Sequence, residues 1–424
     1  MTEAKNLPGD QSATKDAGLR NYLLVTAAYW AFTITDGAIH MLVVLHFHHL
    51  GYTPLEIAFL FLFYEVFGII TNAVGGYVGA RLGLNTTMFL GMAMQVFALS
   101  MLAVEPSWLS VPYVMFFMAF SGVAKDLNKM SAKSSVKLMV PEGSDSRLFK
   151  WVAILTGSKN SLKGAGFFLG GFLLAVSSFQ MALVLLAMGL LVTMIATGIL
   201  LPREMGKSKA KLKFKHLFAK TREINILSGA RFFLFGSRDV WFTVGLPVFL
   251  QAQLQWDHTQ VGSFLALWVI GYGFVQGSAP GLLGKGRDNL GPDGTTARLW
   301  AFILALFPAG IALSIMQGFD PGISLMVGLA VFGGVFAINS SVHSYLILLY
   351  SDRDKVAMNV GFYYMANAAG RLVGTVLSGG MYMAYGLMGC LWTSVAFILA
   401  AACISLLLPN HEKWSERRQV LGME

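Results

Sequence analysis

Residues 181–201 read MALVLLAMGLLVTMIATGILL, and residues 202–223 read PREMGKSKAKLKFKHLFAKTRE. The first run is apolar on nearly every face, and about 20 such residues suffice for a helix to span a bilayer. It lacks the alternation that marks a membrane barrel strand. The second run holds Arg203, Lys207, Lys209, Lys211, Lys213, Lys215, Lys220 and Arg222. A nucleic-acid patch could look similar, but beside a spanning helix the simpler partner is the anionic face of a lipid bilayer. The two runs together predict an all-α integral membrane protein with a basic linker at its middle.

Six apolar stretches lie on each side of that linker. The twelve fall near 20–47, 55–78, 86–104, 111–137, 150–176, 180–201, 224–250, 259–282, 298–317, 321–350, 356–383 and 386–408. Two six-helix bundles are therefore expected, 20–201 and 224–408, joined by the cytoplasmic linker 202–223 and flanked by tails 1–19 and 409–424. The first tail is polar, lacks the apolar core of a signal peptide, and reads as mobile. The composition agrees: of 424 residues 55% are hydrophobic and only 12% charged, with a mean hydropathy of +0.62. Soluble chains are about one quarter charged, so a multidomain soluble enzyme is excluded. Disordered chains and disulfide scaffolds are excluded too, since there are 32 Phe, 22 Met and only two Cys.

Despite this avoidance of charge, the net charge is +9. Part of that excess sets orientation. With the N-terminus inside, the outer loops near 48–54, 105–110, 177–180, 251–258, 318–320 and 384–385 carry no Lys or Arg. The inner segments carry Arg81, Arg147, Lys150, Lys285, Arg287, Arg298, Arg353, Lys355, Lys413, Arg417 and Arg418. Both termini are expected in the cytoplasm.

The remaining cations lie inside the spans: Lys125, Lys129, Lys133, Lys159, Lys163, Arg231, Arg238 and Arg371, against the carboxylates Asp36, Glu65, Asp126 and Asp239. Each such charge costs roughly 2.5–3.5 kcal/mol at a span centre, so these residues should face the bundle interior and mark a pathway. At about 1.5 Å per residue, Lys163 lies roughly 20 Å from the inner end of its helix, with Arg238 and Arg371 at a similar depth. Lys125 lies about 21 Å from the outer end of its own helix. These four cations meet near the midplane and predict an anionic, preferably multivalent, cargo. Arg would supply planar bidentate contacts and Lys point charges. Lys125, Lys129 and Lys133 recur every four residues with Asn128 beside them, and Lys159 precedes Lys163 by one turn, so a polar ladder runs toward the cytoplasm. Substrate contact is expected from Lys125, Asn128, Lys129, Lys159, Lys163, Arg238 and Arg371; for Lys125, Lys163, Arg238 and Arg371 the competing reading is a pure helix-to-helix salt bridge. Lys133, Lys159 and Arg231 are near enough to the inner surface that snorkelling to headgroups is an equal alternative. Asp36, Glu65, Asp126 and Asp239 are candidates for proton coupling. The competing readings are a helix-to-helix hydrogen bond for the first two and simple neutralisation of a neighbouring cation for the last two.

Other groupings say less. His46, His48 and His49 lie at the outer end of the first span, where an interfacial cluster is the better reading than a metal site. Cys390 and Cys403 share the last span, too few for a three-thiolate site. Trp30, Trp241 and Trp268 could surround a cargo or pack in the core. No phosphate-binding loop, catalytic triad or metalloprotease motif is present, so an ATP-driven pump and a hydrolase are disfavoured, and no cofactor or metal is expected.

The two halves echo one another. Phe32-Thr33-Ile34-Thr35-Asp36 corresponds to Phe235-Gly236-Ser237-Arg238-Asp239, and Lys163 with Gly166 and Gly170 corresponds to Arg371 with Gly374 and Ser378. Such a half-chain repeat fits the two parallel six-helix repeats of major facilitator transporters. The run Gly76-Tyr77-Val78-Gly79-Ala80-Arg81-Leu82-Gly83 resembles the glycine-rich loop motif of that superfamily, with Ala80 in place of its Asp and Leu84-Asn85 in place of its basic pair. Gly76, Arg81 and Gly83 are the gate candidates. Gly166-Phe167-Phe168-Leu169-Gly170-Gly171 is similar to the antiporter motif, with Phe167 in place of Pro.

Four stretches carry a narrower resemblance: 29–37 (YWAFTITDG), 121–135 (SGVAKDLNKMSAKSS), 156–164 (TGSKNSLKG) and 234–241 (LFGSRDVW). They resemble the ArsJ organoarsenical exporters. That resemblance implies a bacterial inner-membrane facilitator acting beside a glyceraldehyde-3-phosphate dehydrogenase that makes 1-arseno-3-phosphoglycerate. The permease would expel this ester and so confer resistance to arsenate; a facilitator fold usually works as a monomer. Charge and size agree, since the ester has anionic groups at both ends, and a pentavalent arsenyl does not require thiols. Export or exchange of another organic phosphate or small organic anion, and a sensor built on a transporter scaffold, remain the alternatives.

Overall fold

The computed structural model describes residues 8–52, 54–141, 143–201, 207, 221–256, 258–283 and 291–420. Most of the basic linker, together with Lys285 and Arg287, lies outside the described residues. The described elements are helical throughout: α1 (Pro8–His49), α2 (Pro54–Leu60), α3 (Leu62–Leu82), α4 (Leu84–Leu102), α5 (Val111–Met139), α6 (Asp145–Val176) and α7 (Phe179–Leu200) form the first half. The second half holds α8 (Arg222–Phe242), α9 (Gly245–Ala252), α10 (His258–Leu282), α11 (Gly294–Met316), α12 (Pro321–Leu349), α13 (Val356–Ser405) and α14 (His411–Val420).

These helices map onto the twelve expected spans once three irregularities are accounted for. The second span is α2 followed by α3, interrupted at Phe61. The seventh is α8 followed by α9. Its ladder breaks at Thr243 and Val244, and the freed Gly245 N–H donates to Ser378 Oγ at 3.0 Å. The last two spans form the continuous α13, bent at Gly386, whose φ of 62° and ψ of −159° suit only glycine. Helix α1 begins at Pro8, within the expected first tail, and the candidate span starts at Gly18. Proline at the start of a helix removes only an N–H that would be orphaned anyway. The second tail is also ordered in part, because α14 returns to the bundle, sets Trp414 against Tyr350 at 4.7 Å and pairs Arg417 with the buried Glu223.

Eight helices or helix pairs among the described residues are long and apolar enough to cross a membrane, and one of these, Arg353–Ser405, holds two spans. The segments that fall short are those with polar work to do. α5 carries Lys125, Asp126, Lys129 and Lys133, α6 carries Lys159 and Lys163, and α3 carries Glu65 and Asn72. Outward faces are apolar, with Ile199 79% and Met383 90% exposed, as a lipid solvent requires.

The halves meet along α6 against α10 and α3 against α13. One core cluster joins them at the end where Arg81, Arg147 and Arg353 lie, the basic end: Tyr22, Trp151, Tyr345, Tyr363 and Trp414 belong to it together. Toward the opposite end the core divides into two. One cluster, with Ile39, Tyr64 and Leu183, stays in the first half, and another, with Trp241, Phe332 and Leu391, stays in the second. The molecule is therefore closed at its basic end and parted beyond its middle. Glycines make the closure possible: a Cβ on Gly157 would stand 2.3 Å from Gly277 N, and one on Gly76 would stand 2.7 Å from Ala357 O.

Candidate functional site

Each half builds one buried ion pair where its first and fifth spans cross. In the first half Lys163 Nζ lies 3.1 Å from Asp36 Oδ2, and Tyr64 Oη donates to Asp36 Oδ1 at 2.6 Å. In the second half Arg371 Nε donates to Asp239 Oδ2 at 2.8 Å, and Arg238 Nε donates to Asp239 Oδ1 at 2.7 Å. Close helix approach permits both crossings, with Gly166 against Gly37 and Gly374 against Gly236. The half-chain echo in the sequence thus corresponds to a repeated structural device.

Between the halves lies a cavity of about 330 Å³. All eight intramembrane cations line it, together with Glu65, Asp126 and Asp239. Lys125 Nζ is 3.7 Å from Glu65 Oε2 and 3.8 Å from Asp126 Oδ2, and sits over the Tyr64 ring at 3.8 Å from its centroid. Lys129 pairs with the same Asp126 and lies 4.3 Å from the centroid of Tyr364. The carboxylate of Glu65 is open to the cavity, whereas Asp36 is buried behind Lys163.

The floor, toward the basic end, is a chain of hydrogen bonds that crosses both halves. Asn160 Nδ2 donates to Gln276 Oε1 at 2.6 Å, and Gln276 Nε2 donates to Ser340 Oγ at 3.1 Å. Arg231 donates to the same Ser340 Oγ at 3.2 Å and, through Nε, to Asn367 Oδ1 at 2.9 Å. Lys133 Nζ donates to Tyr364 Oη at 2.9 Å. Lys133 and Arg231 are only 2% and 3% exposed, so both point into the bundle and neither snorkels to headgroups.

Of the residues the sequence singled out for substrate, Lys125, Lys129, Lys159, Lys163, Arg238 and Arg371 converge on this cavity, and Asn128 does not. Asn128 is buried against Gly91 of α4 and donates to Ala124 O at 3.0 Å. Of the proton-coupling candidates, Glu65, Asp126 and Asp239 reach the cavity wall, and Asp36 touches it through Lys163. Gly76 lies at the basic-end contact with α13, Arg81 is exposed there, and Gly83, at a φ of 94°, makes the turn from α3 to α4. Trp268 lines the cavity, Trp241 is buried against Phe332, and Trp30 donates to Ser158 Oγ at 2.7 Å. His46 stacks on Phe179 at 4.0 Å, and neither Cys390 nor Cys403 reaches the cavity. The uncharged residues Tyr64, Tyr272, Gln276, Ser340, Tyr364 and Asn367 were not anticipated, because a neutral polar residue in an apolar helix carries no sequence signal as strong as a charge.

A bundle of twelve spans, parted at one end around a polar cavity that both halves line, is the architecture of a membrane transporter of small solutes and not of an enzyme. The sequence profile of the Major Facilitator Superfamily matches residues 22–292, and the chain belongs to that superfamily. Solved structures share the fold. The human organic anion transporter MFSD10 is 15% identical with a TM-score of 0.72, covering 92% of this chain and 99% of that one. A bacterial homologue of the iron transporter ferroportin in an outward-facing state is 16% identical with a TM-score of 0.71, over 93% of this chain and 99% of that one. The proton:xylose symporter XylE is 13% identical with a TM-score of 0.70, over 91% of this chain and 94% of that one. No curated protein gives a significant match.

Proposed function

We propose that the protein is a secondary exporter of an anionic organoarsenical, 1-arseno-3-phosphoglycerate, working by alternating access. The observation that carries the anionic cargo is the lining itself: eight cations and three carboxylates line one cavity, with Asp36 buried behind Lys163. The arsenical identity rests on the resemblance of residues 29–37, 121–135, 156–164 and 234–241 to the ArsJ exporters. A glyceraldehyde-3-phosphate dehydrogenase would make the cargo. By the positive-inside rule the basic end faces the cytoplasm of a bacterial inner membrane, so the closed basic end describes an outward-facing state. Uptake into everted vesicles is expected only when the dehydrogenase, phosphorylated triose and arsenate are supplied together.

A second reading, export of another organic phosphate or organic anion, is favoured by one observation. The cavity presents cations that any organic phosphate would meet, and no lining residue is specific to arsenic. The name of the human neighbour, an organic anion transporter, points the same way. Equal vesicle uptake of plain phosphoglycerate would decide for this reading.

Coupling to protons would use the carboxylates that hold the cations. Protonation of Asp36 would free Lys163, and Glu65, open to the cavity, would exchange protons with the outer solution. Collapsing the pH gradient is expected to abolish accumulation. Transport that continues unchanged would remove Asp36 and Glu65 from this role.

A further inference from the structure

The eight cations are not equivalent. Lys125, Lys129, Lys163, Arg238 and Arg371 each have a carboxylate within 4.0 Å. Lys133, Lys159 and Arg231 have none among the described residues. Lys133 bonds a phenol, Arg231 bonds an amide and a hydroxyl, and Lys159 makes no hydrogen bond or ion pair among the described residues. All three line the cavity, and the floor network links their helices: Arg231 and Gln276 share Ser340 Oγ, Gln276 accepts from Asn160 beside Lys159, and Lys133 bonds Tyr364, three residues before Asn367, the partner of Arg231. By helical rise Lys133 is about 12 Å below Lys125, Arg231 about 10 Å below Arg238, and Lys159 about 6 Å below Lys163.

From this division we infer that Lys133, Lys159 and Arg231 form a distinct subsite for a dianionic tetrahedral oxyanion, the phosphoryl end of the cargo. The inference rests on the anion-transport reading above. An anion that binds higher in the cavity must compete with Glu65, Asp126, Asp36 or Asp239 for its cations. An anion on the floor displaces no carboxylate. Several uncompensated cations in a desolvated place are unfavourable, and a dianion relieves more of that cost than a monoanion does. Arg231 offers a planar donor fork and the two lysines offer point charges, a combination suited to a group with three terminal oxygens.

The placement also ties binding to the gate. Lys133 is on α5 and Lys159 on α6 in the first half, while Arg231 is on α8 in the second. A phosphoryl group held by all three bridges the halves directly above the Gly157–Gly277 closure. The opposite end of the cargo then meets the carboxylate-paired cations, where binding and carboxylate release are linked.

The test uses the full chain in lipid nanodiscs, with fluorescence from Trp268 in the cavity wall as the readout and 3-phosphoglycerate and glycerate as probes. Wild-type protein is expected to prefer 3-phosphoglycerate by about tenfold or more, the strength of one or two charge-assisted contacts. Lys159→Gln removes no partner from any other group, so the variant should fold. It is expected to bring the preference to within about threefold, whereas Lys125→Gln should weaken both probes alike. Arg231→Gln is the second arm, with inorganic phosphate as competitor. Wild-type preference retained in both Lys159→Gln and Arg231→Gln would overturn the subsite while leaving the anion-transport reading intact. Failure of wild-type protein to bind either probe would overturn both. Equal wild-type affinity for the two probes would overturn the subsite alone.

Discussion

Asp239→Asn abolishes transport and markedly lowers the melting temperature of the purified protein; this is the largest single effect expected at the site. Asp239 is fully buried and is the shared partner of two guanidinium groups, at 2.7 and 2.8 Å. Removing one partner of a buried ion pair costs about 3–5 kcal/mol, because the remaining charge stays desolvated without compensation. Here Arg238 is left in that position, while Arg371, whose side chain is 41% exposed, is partly screened by solvent. The double variant Asp239→Asn/Arg371→Gln should recover part of the lost stability without recovering transport, since it removes one orphaned cation along with the carboxylate. Thermal unfolding in detergent reads the first quantity and, on the organoarsenical proposal, arsenate resistance of cells reads the second. Arg238, Arg371 and Lys163, neutralised singly, should each remove resistance while the protein still inserts. Wild-type resistance in all three would defeat the anion-site reading.

The second large effect is conformational. Gly157→Ala would place a Cβ 2.3 Å from Gly277 N and 2.5 Å from Gly273 O. Both are backbone atoms on the facing helix and cannot swing aside, so α6 and α10 must separate. Closure of the basic end is lost, and the protein should rest with its cavity open to that side. Transport fails although each half remains folded. The check is accessibility. Cys390 and Cys403 are free thiols, so a cysteine-free background needs only two substitutions. Val269→Cys on the cavity wall then reports which face an impermeant maleimide enters from. In otherwise native protein it should react from the face opposite the basic end, and with Gly157→Ala from the basic end. An unchanged labelling pattern would refute the gate assignment.

Charge made much of this molecule legible. A lysine or arginine in an apolar stretch is so costly that its presence alone predicts an inward orientation, and all eight such residues do line one cavity. The repeated pairing of Asp36 with Lys163 and Asp239 with Arg371 was foreshadowed by the spacing of glycines after each cation. Asn128 lies off the cavity for a geometric reason. It is three residues past Lys125 and one before Lys129, so on a helix of 3.6 residues per turn it leaves the lysine face and meets α4. The break between α8 and α9 could not be read from the sequence, because Thr243, Val244 and Gly245 are unremarkable until Ser378 of α13 offers an acceptor. The floor network was hidden likewise: Asn160, Gln276, Ser340 and Asn367 come from four different helices and gain meaning only when the fold joins them. Lys133 and Arg231, for which two directions were equally open, were settled by neighbours that lie far away in the chain.

The apolar core is shared by the two halves at the basic end and separate in each half beyond it. Opening that end must wet part of the shared cluster, and hydrating apolar surface raises heat capacity. The two access states therefore differ in heat capacity, and their balance drifts with temperature even when cargo, pH and membrane potential are constant. The gate is in this sense also a thermal element, with a temperature response set by how much of Tyr22, Trp151, Tyr345 and Tyr363 meets water during each cycle.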